Sequence, residues 1–448
     1  MKVLWLCNIM LPMIAEQLNM EASNKEGWLS GLADVILKKR ESNGIQLALA
    51  FPAPEQMLSK EQEICEHEIT VQGCRVSCYG FREDVRKPEI YDGKLEDRMK
   101  RILDSWEPDL VHCFGTEYPH TLAMCRAMGR KDRLLISIQG LCGPCAECYF
   151  SDLPEKVICS VTLRDYLKKD SIRQQQRKFE MRGEMELEAV KLAGNIAGRT
   201  EWDRFYSEKW HKEAHYFKLN ETLRENFYDS VWSREDCIPH SIFLSQGDYP
   251  IKGLHYMLKA MPAILAEYPD ARVYVAGNSV VDYRTIKQKL KISGYGKYLR
   301  KLLRENNLQE KVVFLGKLDA EGMKERYLKS HLFVCCSSIE NSPNSLGEAM
   351  LLGMPCVSAD VGGIPSIFTG GEDGILYQGY RKELNSGSNL ETVSARLAES
   401  VIELWKNRDW QVEYCRNARK HAEENHDREK NYRKMTEIYT KIITCSEE

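Results

Sequence analysis

The sequence predicts an α/β protein made of two Rossmann-like domains, each a doubly wound parallel sheet. Three observations point there. Short runs rich in Val, Ile and Leu alternate with helical patterns from end to end. The runs are apolar throughout instead of alternating in polarity, as strands are when helices cover both faces of their sheet. The series also occurs twice, and 448 residues suffice for two or three domains at roughly 100–200 residues each.

The first series opens with Lys2–Leu6 (KVLWL). Lys2 ahead of an apolar stretch has the outline of a signal peptide, but Asn8 and Pro12 interrupt it, Glu16 follows, and no small-x-small cleavage pattern appears. A buried first strand is the better reading. Further strands are expected at Ile45–Ala50, Asp109–Cys113, Leu134–Ile138 and Gly194–Arg199, with helices at Lys25–Lys39, Leu95–Ser105 and Pro119–Ala127 between them. The second series has strands at Ser241–Ser245, Arg272–Ala276, Val312–Leu315, Leu332–Cys336 and Pro355–Ser358. Its helices are Leu254–Ala266, Glu321–Ser330 and Ser345–Leu352. Pro239 and the polar residues of 233–240 mark the change of domain, giving residues 1–235 and 236–425. Trp405 to His421 reads as helical. A last helix within 426–443 carries Tyr432, Met435, Ile438, Tyr439 and Ile442 at helical spacing, and is expected to return and pack on the first domain.

Composition narrows the function. Hydrophobic residues make up 43% and charged residues 29%, with a formal net charge of −3. That excludes a disordered or collagen-like chain and supplies no electrostatic reason for a nucleic-acid partner. No apolar run approaches the roughly 18–20 residues of a membrane-spanning helix. Sixteen cysteines at scattered spacings point to free thiols in a reducing, cytoplasmic setting.

The most informative stretch runs from Phe333 to Met350. A strand ends, a polar loop with Pro343 follows, and a helix begins near Ser345. Such a loop leaves the carboxyl end of a parallel strand, where open α/β sheets bind ligands. The N–H groups of Ser345 and Leu346 are expected unpaired at the helix start, facing a diphosphate, with the side chain of Asn344 beside them. Glu348, one turn in, is placed for two ribose hydroxyls, and Glu340, at the strand exit, for the sugar beyond. The competing reading of Ser345-x-x-Glu348 is a capping box, which leaves Glu340 and Gly347 unexplained.

Glu340, seven intervening residues and Glu348, within SSIENSPNSLGEAMLLGMPCVSADVGGIP, resemble the E-x7-E signature of retaining glycosyltransferases of family 4, which have the GT-B fold of two Rossmann domains facing across a cleft. The resemblance takes in Tyr249-Pro250-Ile251-Lys252-Gly253-Leu254, Val273–Gly277, Val312–Gly316 and Val361–Pro365, so it covers about residues 241–378 closely. It implies a nucleotide-diphosphate sugar as donor substrate, no cofactor and no metal. Lys252 would neutralise the diphosphate and serve catalysis with Glu340. Gly277 would admit the donor phosphates and Gly316 would sit near the base. An ordinary tight turn at Gly277 and a solvated lysine at 252 are the bland alternatives.

Two departures stand out. The family places an arginine six residues before the lysine, where this chain has Gln246, able to donate a hydrogen bond but without charge. In the first domain many members carry a histidine where Ser137-Ile138-Gln139-Gly140 offers Gln139. Glu26-Gly27-Trp28 resembles the phosphate-touching loop of relatives but lacks the double glycine. Arg199 leaves a strand toward acceptor or donor phosphate, unless it pairs with Asp203 at a helix start.

The resemblance to bacterial members implies surface-polysaccharide synthesis and transfer of a hexose-type sugar by a front-face mechanism to a saccharide or lipid-linked acceptor. Leu163–Arg182, with seven cations against three carboxylates, is expected either as a solvated helix face or as a patch resting on the inner face of the cell membrane. The alternatives are a nucleotide-sugar epimerase, a non-catalytic binding relative, or a thiol role for Cys142-Gly143-Pro144-Cys145, with Cys148 completing C-x2-C-x2-C. A nicotinamide dehydrogenase would need a glycine-rich turn after the first strand, and CNIMLPMIAE has none.

Overall fold

The computed structural model describes residues 1–21, 27–281, 285, 290–381 and 389–445. They form two compact units. The first comprises Met1–Gly143, Lys178–Glu225 and His426–Glu448, and the second Pro144–Arg177 and Asn226–Asn425.

The first unit holds β1 (Lys2–Leu6), β2 (Gln46–Pro52), β3 (Ile64–Val71), β4 (Cys74–Phe81), β5 (Leu110–Phe114), β6 (Leu134–Ser137), β7 (Asn195–Gly198) and β8 (His215–Lys218). Their order is β3-β4-β2-β1-β5-β6-β7-β8. Only β3 runs antiparallel, folding onto β4 through Gln72-Gly73, both at positive φ. The strands predicted from Val/Ile/Leu runs are the central ones, and Val3, Leu4, Trp5, Leu110 and Val111 are inaccessible.

The terminal helix Arg428–Cys445 returns to this unit, as its apolar spacing predicts, and buries Tyr432, Met435, Ile438, Tyr439 and Ile442 in the core around Trp5. The indole N–H of Trp5 donates to the Tyr439 hydroxyl at 2.9 Å, and that hydroxyl lies 2.6 Å from His112 Nδ1. Burial lowers the His112 pKa to about 3, so the ring is neutral. Both ring nitrogens are hydrogen-bonded, Nδ1 with the Tyr439 hydroxyl and Nε2 with Ser137 Oγ at 2.7 Å.

The second unit holds β9 (Ile238–Leu244), β10 (Arg272–Ala276), β11 (Val312–Gly316), β12 (Ser330–Cys335), β13 (Cys356–Asp360) and β14 (Ile375–Gln378). All pair in parallel, in the order β11-β10-β9-β12-β13-β14. The order reverses between β9 and β12, which makes the crevice at their carboxyl ends the place for a ligand.

The contact division differs from the boundaries read in the sequence. Pro144–Arg177 and residues 226–235 group with the second unit, whereas residues 1–235 read as one domain. The cause is a set of bonds that no local pattern reveals. Ser151 Oγ is 2.6 Å from Ser338 Oγ, and His255 Nε2–H donates to the Ser151 carbonyl at 2.7 Å. The amide of Asn226 donates to the Ala320 carbonyl at 3.1 Å, and Trp232 Nε1 to the Ser330 carbonyl at 2.7 Å. Among the described residues no helix is long and apolar enough to cross a membrane.

Candidate nucleotide-sugar site

The switch point of the second sheet brings Lys252 and Glu340 together. Lys252 ends a one-turn 3-10 helix, Pro250–Lys252, beyond β9, and Glu340 lies in the loop that leaves β12. Lys252 Nζ donates to Glu340 Oε1 at 2.5 Å, with side chains 20% and 14% exposed. Burial works against the ammonium charge, but the Glu340 carboxylate and the nearby Tyr249 outweigh it and hold Lys252 above the ordinary lysine range. Lys252 is therefore a cation at neutral pH. Its ammonium also lies 5.8 Å from the centroid of the Tyr249 ring.

Ser337, Gly362, Gly363 and Gly253, to which the motif reading gave no role of their own, keep this pair in place. Ser337 Oγ donates to Glu340 Oε1 at 2.7 Å. The Glu340 carbonyl accepts the Gly363 N–H at 2.9 Å, and Gly362, at φ 54°, passes so close that a Cβ there would stand 2.0 Å from that carbonyl oxygen. Gly253, at φ 71°, lies against β12's exit, where a Cβ would be 1.8 Å from the Cys336 carbonyl oxygen. The Lys-Gly and Gly-Gly pairs are legible in the sequence, but the close approaches that require their glycines are not.

The helix Asn344–Leu351 starts one residue earlier than the sequence suggests. Leu346 N–H donates to the Pro343 carbonyl at 3.0 Å, so the expectation that it stands unpaired is corrected. Among the described residues, the N–H groups of this turn without an acceptor are those of Asn344 and Ser345. Pro343 occupies the cap position with no side-chain cap bond, so the capping-box alternative is not formed. Asn344 Oδ1 is buried without a hydrogen-bond partner among the described residues, and Tyr327 OH fixes the turn by donating to the Ser345 carbonyl at 2.9 Å. Glu348, 3% exposed, lies one turn into the helix.

The two glycines predicted at strand ends are there. Gly277 N–H donates to the Gly316 carbonyl at 2.9 Å, with φ 95° and 77° at the two residues. A Cβ on Gly277 would lie 3.6 Å from the Gln246 side chain, so Gln246 and the β10 exit adjoin. Gly316 has open space where a Cβ would be.

In the first unit, Arg199 follows β7 and is committed within the protein. Its guanidinium pairs with Glu221 at 2.5 Å and donates to the Gln139 carbonyl at 2.8 Å, while Asp203 accepts only its backbone N–H, at 2.9 Å. The expected Arg199–Asp203 side-chain pair is thus replaced by Arg199–Glu221. Gly27 is the first residue of the helix Gly27–Lys38, and Glu26 lies outside the described residues.

Cys142 and Cys145 stand in the short helix Cys142–Glu147, and neither they nor Cys148 is in a disulfide among the described residues. The Cys142 and Gly143 N–H groups that would stabilise a thiolate are both taken by Glu186, at 3.1 Å each. Burial raises the Glu186 pKa to about 8 despite these donors and the Thr116 hydroxyl. Among the described residues no three of His, Cys, Asp and Glu gather as metal ligands.

Comparison with known proteins bears on the family and the fold. Residues 240–421 match the family described as "Glycosyl transferases group 1". An uncharacterised glycosyltransferase of Methanocaldococcus jannaschii is 30% identical over 161 residues, covering 36% of this chain and 37% of that protein. The chain spans less than half the length of the curated relatives it matches. Among solved structures, a sucrose-phosphate synthase from Thermosynechococcus elongatus superposes with a TM-score of 0.67 at 14% identity, covering 99% of both chains. Anabaena Alr3699/HepE, in complex with UDP and glucose, gives 0.63 at 16% identity, covering 98% of this chain and 100% of that one. The fold is therefore GT-B, and residues 240–421 form a glycosyl transferases group 1 domain.

Proposed function

We propose that this chain is a retaining glycosyltransferase of the family 4 type, moving a hexose from a nucleotide-diphosphate sugar to a saccharide or lipid-linked acceptor. The observation that carries the reading is the Lys252–Glu340 pair at 2.5 Å, placed where the strand order reverses and a helix begins. The diphosphate lies on the Asn344 and Ser345 N–H groups, with Lys252 as counter-charge. Asn344 Oδ1 takes a donor hydroxyl and Glu348 the ribose. Gly277 and Gly316 admit phosphate and base, and Gln246 supplies a neutral hydrogen bond where an arginine would add charge.

In the reaction the anomeric C–O bond to the diphosphate breaks through an oxocarbenium-like state, and negative charge grows on the departing oxygen. Lys252 and the helix N–H groups meet that charge more strongly than they meet the intact donor, which lowers the barrier. The acceptor oxygen attacks from the face the diphosphate leaves, and its proton passes to the departing phosphate oxygen. Glu340 orients the sugar. Polysaccharide assembly at the cytoplasmic face of a membrane fits a chain of this kind, as does the UDP and glucose held by Anabaena Alr3699/HepE.

A thermal-shift screen of nucleotide sugars, followed by NMR of the product's anomeric proton, tests the reading. A donor that raises the melting temperature and a product keeping the donor's anomeric configuration are expected. Inversion would overturn the front-face assignment. Donor binding without transfer or slow hydrolysis would favour a non-catalytic relative.

A further inference from the structure

The segment Pro144–Arg177 carries a feature outside the donor site. Of its large apolar residues, Val161, Leu163, Tyr166 and Leu167 are 57%, 55%, 74% and 70% exposed. Leu163, Tyr166 and Leu167 are spaced i, i+3, i+4 on the helix Leu163–Lys168, so they share one face. The chain at Ile292 lies against the start of this helix, because Thr162 Oγ1 donates to the Ile292 carbonyl at 2.7 Å. Soluble surfaces scatter such residues singly, and a run of this kind marks a contact.

The patch does not result from a loosely held helix. Asp165 is inaccessible, caps the helix with Thr162, and accepts the Gly294 N–H at 2.8 Å. The underside is fixed while the apolar face is turned out.

The charges around it sum to a positive value, with Lys156, Arg164, Lys168, Lys169 and Arg173 against Glu155, Asp165 and Asp170. Arg164 is paired with Asp165 and Asp170, and Arg173 with Glu155, which occupies those carboxylates. Lys156, Lys168 and Lys169 are exposed and have no ion pair among the described residues. The basic residues read along Leu163–Arg182 fall on two helices, Leu163–Lys168 and Ile172–Leu192, and on the second Lys178 pairs with Glu89 while Arg182 lies over the Phe179 ring. What stands out is a compact apolar face with three unpaired lysines.

We infer that Val161–Lys169 is a membrane-interfacial anchor that inserts its apolar face among anionic lipids. Apolar side chains gain by entering the acyl boundary while each lysine beside them is attracted to the headgroups. The anchor is joined to the donor site through Ser151 and Ser338, 2.6 Å apart and two residues before Glu340. It would therefore hold that site at the surface where a lipid-linked acceptor resides. The anchoring itself does not depend on the transfer reading.

Co-sedimentation of the full chain with phosphatidylglycerol/phosphatidylcholine vesicles tests it, beside vesicles of phosphatidylcholine alone. Salt-sensitive binding to the anionic vesicles is expected. It should weaken about tenfold or more in Leu163→Ser/Tyr166→Ser/Leu167→Ser and separately in Lys168→Glu/Lys169→Glu. Melting curves and donor-induced thermal shifts should stay at wild-type values, because both changes lie on an exposed face away from the donor groups. Absence of vesicle binding, equal binding to neutral vesicles, or concentration-dependent self-association abolished by the apolar variant would each overturn the anchor.

Discussion

At the scale of single residues, the Lys252–Glu340 pair makes sharply different demands on its two members. Lys252→Ala removes the only side-chain cation placed at the departing diphosphate in this reading. Turnover should fall roughly 100- to 1,000-fold while the fold persists, as it does when one preorganised donor is lost from an anion site. Glu340→Gln keeps the shape but withdraws the charge that holds the ammonium, so kcat should drop further than donor affinity. Wild-type rates in both variants would remove the assignment, and the two are best read by donor hydrolysis beside a melting curve. Gly253→Ala is a different kind of change. Its φ of 71° and a Cβ position 1.8 Å from the Cys336 carbonyl oxygen leave no place for a methyl group. The backbone between β9 and β12 must shift, which should cost about 3 kcal/mol or more and lower the Tm. Unchanged stability in that variant would show that the approach is looser than drawn.

At the scale of elements, the helix Leu254–Glu267 is pinned at its start by His255, and this gives the second unit a pH dependence. The ring is inaccessible, donates to the Ser151 carbonyl at 2.7 Å and lies 3.1 Å from Tyr295 OH. Burial lowers its pKa to about 4, whereas an unfolded chain protonates histidine near 6.5. Between those values the unfolded state binds the proton and the folded state does not, so stability falls as pH drops from about 6.5 toward 4. The loss is at most about 3 kcal/mol from this group. Glu186 acts with the opposite sign, because its raised pKa makes the folded state the better proton binder from the ordinary carboxyl range up to about 8. The informative quantity is therefore the difference between wild type and His255→Gln in denaturant titrations at pH 7, 6 and 5. The variant should be less stable at pH 7 but lose less on acidification, and parallel curves would discard the idea. Elements also differed in how far the sequence revealed them. The central strands were legible because Val, Ile and Leu runs are needed where helices cover both faces. The hairpin β3–β4 was missed because β3 (ICEHEITV) is an edge strand with charged residues along it, and β8 (HYFK) is four residues long at the opposite edge. The glutamates and lysine of the site were readable from spacing. Ser337's bond and the attachment of Pro144–Arg177 to the second unit were not, since Ser151 meets Ser338 across 187 positions.

For the whole molecule, the chain's last helix decides whether the first unit has a complete core. Tyr432, Met435, Ile438, Tyr439 and Ile442 fill a core shared with Trp5, Leu29, Ile36 and Leu47. Removing residues 426–448 would uncover that apolar surface and leave the Trp5 N–H and His112 Nδ1 without their shared partner. Each buried polar group left unpaired costs about 1–3 kcal/mol, in addition to several lost apolar side chains at roughly 1.5–3 kcal/mol each. A domain stability of about 5–15 kcal/mol does not absorb such a loss. Truncation after Asn425 should therefore abolish hydrogen-exchange protection in β1, β2 and β5 while β9 and β12 of the second unit keep theirs, because none of the second unit's residues lies in the deleted segment. Tyr439→Phe, which deletes one hydroxyl and both its bonds, should give a graded version: a first unit destabilised by a few kcal/mol but still folded. If truncation left the protection of β1 intact, the helix would be an ornament on a core already closed by its own strands. If it stripped β9 as well, the two units would have to be treated as one cooperative body.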